Sequence, residues 1–281
     1  AEGGFSQLTP KSKDFLDRYL RMEKELRMEG ERLYKKYFSG EEEGGTEISA
    51  VSEQTGFLET LKFIFLEENR WKYYVNGLKI TIIVSLLSMC VGMVIGLCVA
   101  LIRLDADRKR KVTIVSGIMS AYVDVIRGTP SVLQLMIIYF ALFHSRLGYV
   151  AAVVSFGINS GAYVSEIMRA GIQAVDHGQM EAGRSLGLSK GQTMRYIILP
   201  QAIKNVLPPI GNEFIVLLKE TAIVGYVSLS DLTRTASQVS SRTFEAFMPL
   251  IGAAVIYFII IKILSKLIEK LERRLRKGDH R

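Results

Sequence analysis

Cysteine, histidine, tryptophan and proline are scarce in this chain of 281 residues, which holds two, three, one and six of them. Cys90 and Cys98 fall in one apolar run. On a helix rising about 1.5 Å per residue they stand roughly 12 Å apart, too far for a disulfide. Their spacing matches no metal site, and they read as small apolar packing residues. His144, His177 and His280 are scattered, and no pair has metal-ligand spacing. The phosphate loop G-x-x-x-x-G-K-[ST] is missing, which excludes ATP binding by that route. No nucleophile–base arrangement stands out. Neither a resident cofactor nor catalysis by this chain is expected. Acidic residues are also in deficit, 28 against 36 Lys and Arg, and unevenly so. Residues 1–72 carry 12 Lys and Arg against 15 Asp and Glu, the remainder 24 against 13. A basic balance suits nucleic acid. Here, however, the basic residues flank apolar runs, the pattern of a cytoplasmic membrane face, and no nucleic-acid partner is expected.

What is abundant is apolar length. Ile80 to Ile102 is 23 residues without a charge, enough to cross roughly 30 Å of hydrocarbon as a helix. Arg103 and the run Arg108-Lys109-Arg110-Lys111 follow, which places that end in the cytoplasm and the preceding segment outside. Residues 111–127 read as a helix at the cytoplasmic interface. Arg127-Gly128-Thr129-Pro130 reads as a corner, since Pro cannot continue the hydrogen-bond ladder. Residues 129–143 form a short second span. Residues 147–165 form a third, crowded with small residues, which belongs at the centre of a bundle. Residues 206–227 form a polar fourth span, interrupted by Pro208, Pro209, Glu213, Lys219 and Glu220, which must be buried against protein or line a pathway. Residues 246–265 form a fifth, running into a basic tail. The expected architecture is an all-α integral membrane protein of about five transmembrane helices, N-terminus outside and C-terminus inside. Residues 1–56 make a charged helix and a flexible acidic linker, 57–79 an interfacial helix, and 80–281 the spanning domain.

The loop at 176–204 is the most informative stretch. Residues 178–186 favour a helix, and Gly187 fits its left-handed stop. Ser189 with Gln192 is a capping box that opens a second helix, which Pro200 limits. The product is a compact helical knob on the cytoplasmic side. It is a docking element in form, though an ordinary loop turning a sharp corner would read the same way.

The residues Glu181-Ala182-Gly183, Gly187, Ile197 and Leu199-Pro200 make the pattern E-A-G-x-x-x-G, nine further residues, I-x-L-P. This resembles the E-A-A…G…I-x-L-P signature of permease subunits of binding-protein-dependent ABC importers. The resemblance covers about residues 70–275. It narrows to the polar amino-acid branch, the histidine and glutamine permeases, through N-G-L-K-I-T, Y-V-D-V-I-R-G-T-P, S-G-A-Y-V-S-E-I-M-R-A-G-I and N-E-F-I-V-L-L-K-E-T-A. It implies the type I importer permease fold with 176–204 as a coupling-helix loop. It also implies ABC ATPase subunits that bind ATP and receive the knob, and a second permease copy or paralogue. An extracytoplasmic amino-acid-binding protein or fused domain would deliver cargo in the bacterial cytoplasmic membrane. One departure is Gly183, where the family favours Ala; Gly lowers helix propensity by about 1 kcal/mol. The head sequence L-D-R-Y-L-R-M-E-K-E-L-R resembles the last helix of such binding proteins. Residues 1–39 are accordingly expected to be the stump of a fused binding domain, the rest of it preceding Ala1; an idiosyncratic charged extension is the other reading.

Asn159, Tyr163 and Glu166 share one helix face, and a buried carboxylate suits the α-ammonium group of an amino acid. The resemblance favours a substrate site here. An ion pair of Glu166 with Arg169 is the structural alternative. Lys219, Glu220 and Thr221 form a polar break that either gates a pathway or fixes packing. An ion-coupled secondary transporter is a rival, as its intramembrane charges would be coupling sites, but such a transporter has no use for the knob. A membrane-tethered interaction protein is a second rival, and the Lys219-Glu220 break argues against a mere anchor.

Overall fold

The computed structural model describes residues 57–143 and 147–276, with scattered positions between 18 and 32. Helices and short connections account for the described residues, and no strand occurs among them. The chain divides into a unit Ala1–Thr60 and a larger unit Leu61–Arg281. Described positions of the smaller unit from Arg18 to Arg32 are helical and exposed. The expectations for the stump and the acidic linker otherwise fall outside the described residues.

Helix α1 (Phe57–Leu61) passes into a π-turn, Lys62–Leu66. Glu68 and Asn69 then take left-handed backbone, with φ of 50° and 56°, and break the segment. The single interfacial helix expected over 57–79 is therefore divided. Its second half belongs to α2 (Trp71–Lys109), a continuous helix of 39 residues, about 58 Å long. Nothing between Trp71 and Ile80 interrupts the helical backbone, so the boundary at 80 disappears. Arg110, in left-handed conformation, ends α2. Cys90 and Cys98 lie on its exposed face, not in the packed core.

Helix α3 (Ile114–Gly128) starts from a Thr113–Ser116 capping box. It meets α4 (Ser131–Ile137), which a π-turn extends to Leu142, at 110°. The two qualify as a membrane segment only together, as one broken span or re-entrant loop. Helix α5 (Gly148–Gln173) outlasts the expected span end at Ser165 by eight residues. It is central, packed between α2 and α8. Its contact with α2 is as close as small residues permit. A Cβ on Gly161 would lie 2.8 Å from Ile95 Cγ2, and one on Gly96 2.6 Å from Val164 Cγ1. Such approach maximises van der Waals contact in lipid, where no hydrophobic force separates helix from tail.

Helices α6 (His177–Ser185) and α7 (Lys190–Thr193) form the knob. A π-turn, Met194–Ile198, leads into α8 (Leu199–Glu220), with Pro200 in its first turn. Pro200 thus does not limit the second helix: the backbone stays right-handed helical from α7 through the π-turn into α8. Pro208 and Pro209 lie inside α8 without ending it, and Thr221–Val227 continues as a 3-10 helix. Helix α9 (Leu232–Thr243) and helix α10 (Phe247–Arg276) complete the chain.

By length and composition α2, α5 and α10 can each cross a membrane, and α3 with α4 makes a fourth crossing if they form one span. Against the five expected, α8 is the helix that falls short. Its 22 residues are long enough, but Asn205, Glu213, Lys219 and Glu220 lower its apolarity, and it packs between α5 and α10. The main core gathers Val84, Leu135, Phe156, Val164 and Leu217 around α5. A second core joins Tyr74, Leu232, Ala236 and Ala253.

Candidate functional site

The knob is built from local grammar. Asp176 caps α6, its carboxylate accepting from the Gly178 amide at 2.6 Å. Gly187 has φ +85°. The Leu188 amide donates to the Gly183 carbonyl and the Gly187 amide to that of Arg184, the paired bonds of a glycine-terminated helix. Two residues on, Ser189 Oγ accepts from the Gln192 amide at 3.2 Å while Gln192 Oε1 accepts from the Ser189 amide at 2.8 Å. The turn between the helices is therefore held on both sides.

Gly183 explains itself here. A Cβ at this position would lie 2.4 Å from Thr193 Cγ2 and 3.1 Å from Ile197 Cδ1. The two arms press together on this buried glycine, and the lost helix propensity is offset by the closeness it allows. Thr193 is fully buried, its hydroxyl donating to the Ser189 carbonyl. Beneath the knob Val175, Ile198 and Ala202 form an apolar footing with Met180 and Met194. The seven signature positions thus sort into two kinds. Glu181, Ala182, Gly187, Leu199 and Pro200 are exposed, whereas Gly183 is buried and Ile197 half-buried. Leu186 and Tyr196, absent from the sequence reading, are 79% and 64% exposed on the same knob.

The second cluster is the polar interior around α5. Asn159, 4% exposed, donates to Gln134 Oε1 at 2.9 Å. Gln134 Nε2 in turn donates to the Ile126 carbonyl at 2.8 Å and to Thr129 Oγ1 at 2.7 Å. Asn159 is therefore tied to the α3–α4 corner. Ser160 Oγ donates to Glu213 Oε1 at 3.1 Å across to α8. The Arg127 guanidinium sits 5.3 Å from the Tyr163 ring centroid, within cation–π range.

Glu166 pairs with Arg103 of α2. Arg169 pairs with Asp107 of α2 at 2.8 Å. The local Glu166–Arg169 pair is replaced by two pairs between helices. At the end of α8 Lys219 is exposed and Glu220 half-buried, and the following Thr221 is buried, its hydroxyl donating to the Leu218 carbonyl at 2.8 Å. They stand where α8 passes into the 3-10 turn, and among the described residues no hydrogen bond or ion pair joins them to Asn159, Tyr163 or Glu166. Sequence reasoning missed Gln134, Ser160 and Arg103, and did not assign Glu213 to the site. Only Glu213, a carboxylate in an apolar run, carried a signal. No grouping of His, Cys, Asp and Glu that would hold a metal occurs among the described residues.

Comparison with known proteins identifies the family of the chain. Residues 92–277 match the family model described as binding-protein-dependent transport system inner membrane component. The arginine transport system permease protein ArtQ of Bacillus subtilis is 42% identical over 212 residues, 74% of this chain and 94% of that protein. The glutamine transport system permease protein GlnP of Escherichia coli is 39% identical over 207 residues, 72% and 92% respectively. A chain from the crystal structure of an amino acid ABC transporter with histidines superposes with a TM-score of 0.68 at 43% identity, over 78% of this chain and 98% of that one. The inward-facing MetNI methionine ABC transporter superposes with a TM-score of 0.62 at 19% identity, over 75% and 99%, a likeness of fold alone. This chain belongs to the family of binding-protein-dependent transport system inner membrane components.

Proposed function

We propose that this chain is the permease subunit of an ATP-driven importer of amino acids, and that the knob within residues 176–204 docks a partner ATPase. The observation that carries the reading is the knob. It is rigidly closed at Gly183 and Gly187, footed on apolar contacts, and presents Glu181, Ala182, Leu186 and Tyr196 outward. A loop that merely joined two helices would need none of this. ATP is bound and hydrolysed by the partner, and this chain is not itself catalytic. The functional unit is a dimer of this permease with itself or a paralogue, served by two ATPase subunits and by an extracytoplasmic amino-acid-binding protein or fused domain. Relatives named for arginine and glutamine transport support an amino-acid cargo. The basic residues at Arg108–Lys111 and along the end of α10 support a cytoplasmic C-terminus and an outward N-terminus in the cytoplasmic membrane.

Closure of the ATPases moves the knobs, and the helices on either side, α5 and α8, carry that motion to the polar interior. Asn159, Tyr163, Glu166, Lys219, Glu220 and Thr221 are assigned to the pathway, with Gln134, Ser160 and Glu213 added. Glu166 already has a cation in Arg103. Glu213 has a hydroxyl from Ser160 and, among the described residues, no paired cation. It is the better receptor for a substrate ammonium group.

The test is ATP hydrolysis by this subunit with its ATPase in lipid vesicles, scanned against single amino acids with the binding protein present. Gly187→Val, a β-branched residue forced to positive φ, runs beside it. Stimulation by an amino acid that is lost in the variant is the expected result. Uptake driven by an ion gradient with no ATPase bound would overturn the reading.

A further inference from the structure

The corner where α2 passes into α3 holds a cavity of about 300 Å³ that the transport reading does not use. Leu101, Ile102 and Ala106 give it an apolar side; its polar lining is Asp105, Lys109, Lys111 and Thr113, with one positive charge in excess. Val112 and Ile114, chain neighbours of the lining residues Lys111 and Thr113, are 84% and 85% exposed. Three properties of the corner bear on its occupant.

The first is position. The cavity lies where the charge-free stretch Ile80–Ile102 gives way to charge, the depth of a membrane–water boundary whichever side that is. The second is charge. Arg108, Lys109, Arg110 and Lys111 are consecutive. The acids nearby are engaged: Asp105 with Lys109 at 2.6 Å and Asp107 with Arg169 at 2.8 Å. The Asp105–Lys109 pair is itself exposed, and such a pair holds weakly. An excess of positive charge remains at the mouth. The third is the exposure of Val112 and Ile114, which would be costly in water and suits acyl chains.

The geometry points to an anionic phospholipid as the occupant, its phosphate against Lys109 and Lys111 and one acyl chain along Leu101 and Ile102. A soluble anion satisfies the charged lining and leaves the apolar side and its neighbours bare. A zwitterionic lipid brings its own ammonium group against the lysines. Only a lipid of net negative charge matches both its apolar and its charged lining, as basic clusters at the end of a membrane helix do elsewhere. The inference rests on the chain being membrane-embedded and not on ATPase docking, so either can fail alone.

The full-length chain is purified in a neutral detergent and titrated with short-chain phosphatidylglycerol, with phosphatidylcholine of the same chain length, or with inorganic phosphate. Bound lipid is counted by native mass spectrometry. Lys109→Gln/Lys111→Gln is compared with wild type and with Arg273→Gln/Arg274→Gln, which removes two charges from the end of α10. Phosphatidylglycerol is expected to bind and to be weakened on the order of tenfold in the corner variant, with little change in the tail variant. Ala106→Trp fills the same cavity without altering charge and is expected to abolish binding too, and a melting temperature close to wild type in both corner variants excludes misfolding as the cause. Equal binding of phosphatidylcholine, binding of phosphate alone, or equal loss in the tail variant would overturn the assignment. So would lipid retained by Ala106→Trp.

Discussion

Glu166 of α5 closes an ion pair with Arg103 of α2, 63 residues away in sequence. Just below it Arg169 of α5 meets Asp107 of α2. The two pairs run in opposite sense, cation on α2 and anion on α5 in the first, the reverse in the second. A slide of one helix past the other by one turn would bring like charges together. The clasp therefore fixes the register of the α2–α5 contact, which the close approach of Gly96 and Gly161 already demands.

That arrangement separates a structural role for Glu166 from a substrate role. Arg103→Met leaves a carboxylate that is 28% exposed without its partner. The cost falls between those of surface and buried pairs, roughly 1–3 kcal/mol. The swap Arg103→Glu/Glu166→Arg is expected to restore most of the melting temperature and most of the uptake. Thermal melts and vesicle uptake on the same samples check it. Recovered stability with uptake still absent would return Glu166 to the substrate site.

Gly96 and Gly161 sit where α2 and α5 touch backbone to side chain. Gly96→Leu must displace Val164, which is fully buried. Overpacking of this kind costs about 1–3 kcal/mol, and more where backbone must yield. The expected outcome is a lower melting temperature and a smaller yield of monodisperse protein. Gly117→Leu is the control, since a Cβ there meets nothing within 4 Å. Equal loss from both would mean that the α2–α5 approach is not limiting.

Asp231 is fully buried at the start of α9, its carboxylate accepting from the amides of Thr233 at 2.9 Å and Arg234 at 3.0 Å. Burial raises its pKa above the ordinary 3.8, and these hydrogen bonds oppose the rise only in part. The folded protein then holds the proton more tightly than the unfolded chain. Stability from this site is greatest below about pH 4 and declines as pH rises through that value and beyond. Asp231→Asn keeps an acceptor for the helix amides and cannot ionise, so it is expected to lose less stability than wild type between about pH 4 and pH 7. Asp231→Ala forfeits the cap, about 1 kcal/mol. Melts of the three proteins across that range decide it.

Much of this was legible because it is local. The left-handed Gly187, the Ser189–Gln192 box and the crowding of small residues in α5 each depend on residues within a few positions of one another. The partners of Asn159, Ser160, Glu166 and Gly183 were not legible, since each lies on another element. Local spacing offered Arg169 to Glu166; three-dimensional packing supplied Arg103. Helix α9 went unread for a different reason. Thr233-Arg234-Thr235-Ala236-Ser237 reads as loop, being rich in residues that compete for backbone bonds. Leu232, Ala236 and Val239 nevertheless recur at helical spacing and are buried, and Asp231 caps them, so packing overrides propensity. The span count differs because apolarity alone does not identify α8, which is buried between α5 and α10.

Gly183 gives the sharpest test of the knob, because its neighbour identifies the remedy. Gly183→Ala improves helix propensity by about 1 kcal/mol, so a purely local view expects a stiffer and better knob. The structure expects the opposite, since the new methyl would meet Thr193 Cγ2 at 2.4 Å. Thr193→Ser removes that methyl and keeps the hydroxyl that bonds the Ser189 carbonyl. In a double-mutant cycle the single Gly183→Ala should lower ATPase stimulation several-fold, and Gly183→Ala/Thr193→Ser should restore most of it. The coupling between two residues in contact is expected at about 0.5–3 kcal/mol. Stimulation by the Gly183→Ala variant equal to wild type would show that the arms of the knob yield freely. The closeness at Gly183 would then be incidental to docking.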